Sequence, residues 1–84
     1  MIKVLYLASL REQLCCDSEQ LELGPELTDL AALTARLRQR GGVWEEALGR
    51  GESLLTAVNA EVAGPRTRLC DGDEVAYLPP VTGG

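Results

Sequence analysis

The last residues of the sequence, Thr82-Gly83-Gly84, have the greatest potential for chemistry in this chain. Because glycine has no side chain, an extended strand of this composition can pass through a narrow channel and present its carboxylate to a partner's active site. A terminal α-carboxyl group, with a pKa of roughly 3.5, is anionic at neutral pH and a poor electrophile, so it must be activated, for example as an acyl-adenylate. Sulfide or a persulfide can then displace AMP and leave a thiocarboxylate. The residues alone leave a threaded acyl donor and a passive terminus as equal alternatives.

Other catalytic residues are scarce. The chain has no histidine, which removes the commonest general base and the commonest metal ligand. It has no phosphate-binding loop, since Gly41-Gly42 follows a predicted helix and no G-K-[ST] occurs. Another protein must therefore bind ATP and activate the terminal carboxylate. Asp71, Asp73 and Glu74 lack calcium-loop spacing and are expected to be solvated acids in a turn. The sequence therefore predicts no metal site and no cofactor bound by this chain.

The cysteines and the overall charge limit the class of protein. Cys15, Cys16 and Cys70 do not form a disulfide framework and suit a reducing compartment, and the adjacent pair lacks C-x-x-C spacing. We expect them to be buried or incidental. The net charge of -5 repels phosphate backbones and anionic lipids, and no apolar run reaches the ~20 residues that span a bilayer. We therefore expect a cytoplasmic protein without nucleic-acid or membrane partners, in which Trp44 and Tyr77 serve the core or a partner contact.

The two ends of the chain predict neighbouring central strands. Residues 2–8 and 74–78 are apolar on both alternating faces, which is typical of strands covered on both sides. Residues 20–23 alternate apolar and polar, as expected of an outer strand with one wet face. Asp71-Gly72 supplies a turn before the last strand, and Pro79-Pro80 ends it because proline cannot donate to the ladder.

The segments between these strands predict one main helix. Thr28 is a suitable N-cap, the apolar stripe is formed by Leu30, Leu33 and Leu37, and Gly41-Gly42 ends the helix. Shorter elements are predicted from the same kind of pattern: about two helical turns within residues 10–16, a helix at residues 43–48, and strands at residues 54–58 and 61–63 around an Asn59-Ala60 turn.

This order predicts an α+β fold of the ubiquitin-like β-grasp kind: a mixed sheet of four to five strands with one main helix packed across it. Eighty-four residues make a single domain. We expect the β-grasp domain to span residues 1–80 and residues 81–84 to form a flexible, extended C-terminal tail.

Residues 71–84, DGDEVAYLPPVTGG, resemble the end of the small, sulfur-carrying subunit of molybdopterin synthase. The similarity extends to LTAVN at residues 55–59 and to the opening IKVLYLA followed by Arg11-Glu12. The resemblance implies a β-grasp fold, a thiocarboxylate formed on Gly84, and an adenylyltransferase partner that is related to ubiquitin-activating enzymes and uses ATP. Family members often carry aromatic residues where this chain has Leu7 and Leu78.

The resemblance also implies how the sulfur is used. In that family a sulfur donor protein supplies the sulfur, and two copies of the carrier pair with a dimer of the large catalytic subunit in a heterotetramer. The tail enters that subunit's active site, where precursor Z is converted to molybdopterin, so the chain is not an enzyme on its own but the sulfur-donating subunit of a transferase. We expect an apolar docking surface beside the threaded tail. It comprises Tyr77, Leu78, Pro79, Pro80 and Val81.

Three other functions remain open at this point. A sulfur carrier for another pathway, such as thiamine or cysteine synthesis, would share the fold and the tail. A protein modifier would form isopeptide bonds with lysines, as ubiquitin does. A pure interaction module would have a passive tail that does not react with an adenylating enzyme and ATP.

Overall fold

A five-stranded mixed sheet with three helices forms the part of the chain that the structure, a computed structural model, describes: residues 1–49 and 54–79. The elements in chain order are β1 (Ile2–Tyr6), α1 (Ser9–Leu14), β2 (Ser18–Leu21), α2 (Leu30–Arg38), α3 (Val43–Leu48), β3 (Leu55–Val58), β4 (Glu61–Val62) and β5 (Glu74–Leu78). The predicted β-grasp class is confirmed. Residues 80–84, which include the predicted tail, lie outside the described residues.

The sheet has the strand order β2-β1-β5-β3-β4. The first and last strands of the chain are neighbours and run parallel, whereas the other pairs are antiparallel. This confirms the prediction that the terminal segments lie side by side in the sheet centre, and that the second strand is an outer one. β5 is the middle strand, so it forms backbone hydrogen bonds with a neighbour on each side.

The register of the three central strands determines which residues lie at which end of the sheet. Lys3 lies beside Glu74 at the start of β1 and β5. Leu78, the last residue of β5, lies opposite Leu55, the first residue of β3. The end of the chain therefore leaves the sheet next to the point at which β3 begins.

One face of the sheet and the three helices enclose the core. The fully buried strand side chains include Tyr6 and Tyr77, whose rings stack with centroids 6.0 Å apart. Leu30, Leu33 and Leu37 of α2 are also buried, which confirms the predicted apolar stripe. Each such side chain stabilises the fold by about 1.5–3 kcal/mol relative to an exposed one. The whole buried apolar set is Ile2, Val4, Tyr6, Leu10, Leu14, Leu27, Leu30, Leu33, Leu37, Ala47, Leu48, Leu69, Val75 and Tyr77.

The opposite face of the sheet is not covered by any helix in the described ranges, so the prediction of strands covered on both sides is wrong. In β1 the buried residues alternate with an exposed Lys3 and a half-buried Leu5. Leu7, just after the strand, is 36% exposed. We call this surface the open face. Its strand residues are Lys3, Leu5, Ser18, Gln20, Leu55, Ala57, Val62, Glu74, Ala76 and Leu78.

The main helix begins one residue later than predicted. Asp29, and not Thr28, is the N-cap, because its backbone is extended and its carboxylate accepts a hydrogen bond of 2.9 Å from the amide of Ala32. Both residue types cap helices, so the sequence pattern did not separate them. The helix also ends earlier than predicted, because its last residue is Arg38 and Gln39 is its C-cap. The predicted stop, Gly41-Gly42, follows that cap, and both glycines have positive φ angles, +77° and +56°, which glycine adopts without strain.

Asn59 joins the β3–β4 turn to the start of β5. Asn59 and Ala60 both have positive φ angles, 51° and 70°, as in the tight two-residue turns that match the twist of a hairpin. The side chain of Asn59 donates to the carboxylate of Asp73 at 3.0 Å and accepts from the amide of Glu74 at 3.0 Å. Asp73 also accepts from the amide of Cys70. Asp73 thus has a structural role rather than being a freely solvated acid.

Candidate functional site

The predicted tail residues Thr82, Gly83 and Gly84 lie outside the described residues, as do Pro80 and Val81, so their roles stay predictions. The structure does describe the strand that leads into them. The amide of Leu7 donates a hydrogen bond of 3.0 Å to the carbonyl of Tyr77, so the β1–β5 pairing extends to one residue before Leu78. The chain therefore enters its last segment from the middle of the sheet.

Tyr77 anchors this strand from the core side. Its side chain is fully buried, and its hydroxyl shares a hydrogen bond of 2.8 Å with Oγ1 of Thr34, which donates to the carbonyl of Leu30 in α2. Burial raises the pKa of Tyr77 to about 12, so the hydroxyl stays protonated at neutral pH. This corrects the predicted docking surface, because a fully buried side chain cannot contact a partner. Strand alternation places Tyr77 on the face opposite Leu78.

A second polar cluster holds the outer strand β2 against the helices. The hydroxyl of Tyr6 donates to Glu19 at 2.8 Å, and Glu19 accepts two hydrogen bonds from Arg40, at 2.7 and 2.9 Å. These Arg40 bonds lower the pKa of Glu19, whereas burial raises that of Tyr6. The guanidinium carbon of Arg40 lies 4.4 Å from the ring centroid of Trp44, whose ring meets Tyr6 edge-on. Trp44 therefore serves this internal cluster.

Apolar side chains on the open face surround the point at which the chain leaves β5. Leu78 and Pro79, two residues of the predicted docking surface, are half-buried. Leu55 lies opposite Leu78 and is 38% exposed, and Val62 on the neighbouring β4 is 87% exposed. Large exposed side chains of this kind mark interaction surfaces when they are contiguous.

The cysteines do not form a reactive site. All three are free, and Cys15 and Cys70 are exposed, so of the two expected alternatives, buried or incidental, burial does not apply to these two. Cys16 is half-buried beside Glu19, and burial raises the pKa of its thiol. A raised pKa lowers the thiolate fraction and hence the reactivity.

Within residues 1–49 and 54–79, no three acidic or cysteine side chains come together as a ligand set for a metal ion. No helix in the same ranges combines the length and the apolar character that crossing a membrane requires.

Comparison with known proteins gives the family. The sequence matches the ThiS family over residues 4–84, almost its full length. The chain belongs to the ThiS family. The resemblance drawn from its terminal and opening segments is confirmed by two relatives, both called molybdopterin synthase sulfur carrier subunit. The one from Escherichia coli is 40% identical and the one from Haemophilus influenzae 38% identical, each over 84 residues that cover all of both chains.

Solved structures similar to this ThiS-family chain extend the comparison. A complex of subunits 1 and 2 of the molybdopterin-converting factor from Helicobacter pylori contains a chain that is 28% identical, with a TM-score of 0.69, covering 99% of this chain and 97% of that one. Small archaeal modifier protein 1 from Methanosarcina acetivorans is 26% identical, with a TM-score of 0.75, covering 99% of this chain and 95% of that one.

The sequence-based docking surface of this ThiS-family member omitted Leu55 and Val62. They lie far from the tail in the sequence. The β3–β5 register places Leu55 opposite Leu78, and the β3–β4 register places Val62 opposite Ala57, diagonally next to Leu55. A usable signal was present, since Val62 follows a tight two-residue turn in a hairpin and must alternate with its neighbours.

Proposed function

We propose that this chain is a sulfur carrier in molybdenum cofactor biosynthesis, and that Gly84 carries the sulfur as a thiocarboxylate. The observation that carries the proposal is the end-to-end similarity to two relatives called molybdopterin synthase sulfur carrier subunit. The sequence supports it independently, since the chain lacks histidine and a phosphate-binding loop but ends in two glycines. It would therefore act through its carboxyl end and not through catalytic side chains of its own.

The chemistry at Gly84 has two steps, both on partner proteins. A carboxylate oxygen of Gly84 attacks the α-phosphorus of ATP, pyrophosphate leaves, and an acyl-adenylate forms. Sulfide, or the terminal sulfur of a donor protein's persulfide, then attacks the carbonyl carbon, and the C–O bond to AMP breaks. A persulfide route gives an acyl disulfide, which a thiol reduces to the thiocarboxylate. Thr82 and Gly83 provide the narrow approach through which the activating enzyme reaches the carbonyl.

In the proposed assembly the thiocarboxylate sulfur then acts as the nucleophile on precursor Z in the active site of the large subunit. The Helicobacter pylori complex of subunits 1 and 2 supports a large-subunit partner. Two copies of this chain on a dimer of large subunits would deliver the sulfurs of the dithiolene. This chain contributes the donor atom, and the large subunit contributes the substrate site.

The open face is the docking surface in this proposal. An apolar surface near the end of β5 is formed by Leu55, Val62 and Leu78. The exposed Leu7, which follows the last residue of β1, extends this surface. A partner that covers this surface fixes the direction of the tail, because Tyr77 anchors the same strand from behind. Burial of such side chains gains about 25 cal/mol per Å² of apolar area removed from water.

Intact-mass spectrometry tests the proposal. After incubation with the adenylating enzyme, ATP and a sulfur source, the mass of the chain should rise by the difference between sulfur and oxygen. Deletion of Gly84 should abolish this change and molybdopterin synthesis while leaving the fluorescence of Trp44 unchanged. An unmodified wild-type chain, or a deletion variant with full activity, would contradict the proposal. Pull-down of the large subunit then separates this pathway from thiamine or cysteine synthesis.

A second candidate function, protein modification, is favoured by one observation. The solved structure of small archaeal modifier protein 1 matches 99% of this chain with a TM-score of 0.75. A modifier would use the same activated Gly84 but transfer the acyl group to lysine amines of other proteins. Conjugates that survive a denaturing gel would support the modifier function. If the thiocarboxylate forms but no conjugates are seen, only the sulfur-carrier function is supported.

A further inference from the structure

Lys3 is the sole lysine of the chain and lies on the open face. It is exposed in β1, between Gln20 of β2 and Glu74 of β5. The ion pairs formed in the described part of the chain do not include it. Its ammonium group thus projects from a flat strand surface on which another chain can approach.

The other primary amine is held in a contact. The N-terminal ammonium of Met1 pairs with the carboxylate of Asp71, and the carbonyl of Met1 accepts a hydrogen bond of 2.8 Å from the amide of Gly72. Acylation of Met1 would remove the charge that forms this ion pair. Acylation of Lys3 would break no contact of this kind.

We propose that Lys3 is an acyl-acceptor site through which one copy of the chain becomes joined to the activated Gly84 of another. This inference rests on the proposed function, because the acyl-adenylate supplies the leaving group. The neutral Nζ of Lys3 attacks the carbonyl carbon of Gly84, a C–N bond forms, and the C–O bond to AMP breaks. The nitrogen then releases a proton to solvent, which leaves an isopeptide bond and free AMP.

The geometry favours a link between copies over a ring within one chain. Lys3 lies beside Glu74, the first residue of β5, whereas the chain leaves the sheet after Leu78, about 13 Å further along the strand. Residues that precede a proline are restricted to extended conformations, and Leu78 and Pro79 both do so. β5 itself runs away from Lys3, so a ring would require the chain to reverse its direction after Leu78. A link to the Lys3 of a second copy requires no such reversal.

The test uses the full chain, its adenylating enzyme and ATP, without a sulfur source. Intact mass should show a species of twice the chain mass less one water. Trypsin should leave residues 69–84, which contain no lysine or arginine, attached to an uncleaved Lys3. The Lys3→Arg variant, which keeps the charge, should lose the conjugate. The Asp71→Ala variant, which frees the Met1 amine, should still be linked at Lys3.

Three results would overturn the assignment: no conjugate, a conjugate that persists in Lys3→Arg, or a ring whose mass is that of one chain less one water. A parallel reaction with a sulfur source separates this inference from the proposed function. If the thiocarboxylate forms there but no conjugate forms without sulfur, the acceptor role of Lys3 is refuted and the carrier function stands. If neither product forms, the activation of Gly84 itself is refuted.

Discussion

Val62 provides the sharpest test of the docking surface, because it is 87% exposed in the free chain and lies on the open face. Complete burial of a valine side chain gains about 1.5 kcal/mol at the low end of the usual range, so covering this one gains about 1.3 kcal/mol. That energy corresponds to roughly a tenfold change in Kd. The Val62→Asp variant also puts a carboxylate into the apolar contact, which adds a desolvation cost. We therefore expect binding to the large subunit to weaken by at least about tenfold.

Calorimetric titration of the large subunit measures this change. The fold of Val62→Asp should be little affected, because surface substitutions usually alter the free energy of unfolding by less than about 0.5 kcal/mol. Urea unfolding followed by the fluorescence of Trp44, the sole tryptophan, provides that check on the same sample. A weaker complex formed by a fully folded variant would then be due to the surface alone.

Tyr77→Phe is the matched control on the opposite face of the sheet. It removes the hydrogen bond to Thr34, which should cost about 1 kcal/mol of stability and lower Tm by about 4–8 °C for a domain of this size. Because the ring stays in the core, the folded variant should bind the large subunit with unchanged affinity. Wild-type binding by Val62→Asp together with weakened binding by Tyr77→Phe would refute the assignment of the two faces.

Three further predictions concern the scaffold. Leu33→Ala should lower the free energy of unfolding by about 2–5 kcal/mol, measured in urea, because the side chain is fully buried. Asp29→Ala should cost about 1 kcal/mol in the same assay, since it leaves the amide of Ala32 without its cap. Hydrogen bonds from Arg40 lower the pKa of Glu19, so the stability they provide is present at neutral pH and is lost as the pH falls through that lowered pKa. The loss of stability between neutral pH and about pH 3 should be smaller in Glu19→Gln than in wild type.

Sequence reasoning succeeded where a local pattern and the tertiary structure agree. The stripe Leu30, Leu33, Leu37 has helical spacing and a glycine stop, and the structure buries all three leucines on one helix face. The continuous apolar runs at the two ends of the chain correctly predicted the terminal strands. The same runs also led to the wrong prediction that both faces of these strands are buried. In fact the apolar residues of the second face, such as Leu5 and Leu55, remain partly accessible. Composition shows that a face is apolar and does not show what covers it.

The candidate docking surface could be predicted only in part from the sequence, because of strand geometry. A docking surface inferred from consecutive residues cannot be correct throughout a strand, because successive side chains point to opposite faces. Tyr77 and Leu78 are neighbours in the chain, yet one is in the core and the other on the open face. Conversely, Leu55 lies opposite Leu78 only through the β3–β5 register, and Val62 lies diagonally next to Leu55 only through the further β3–β4 pairing. Such relations follow from tertiary pairing and not from local sequence.

The alternation in β5 also explains how a small domain can give its chain end a defined starting direction. Val75 and Tyr77 bury their side chains under the helices, while Ala76 and Leu78 face outward, and the backbone is paired with β1 and β3. Separating this strand from either neighbour would open the sheet at its centre, which costs an energy close to that of global unfolding. A partner that binds the open face therefore contacts a strand that is already fixed from behind. Docking therefore requires no ordering of β5 itself.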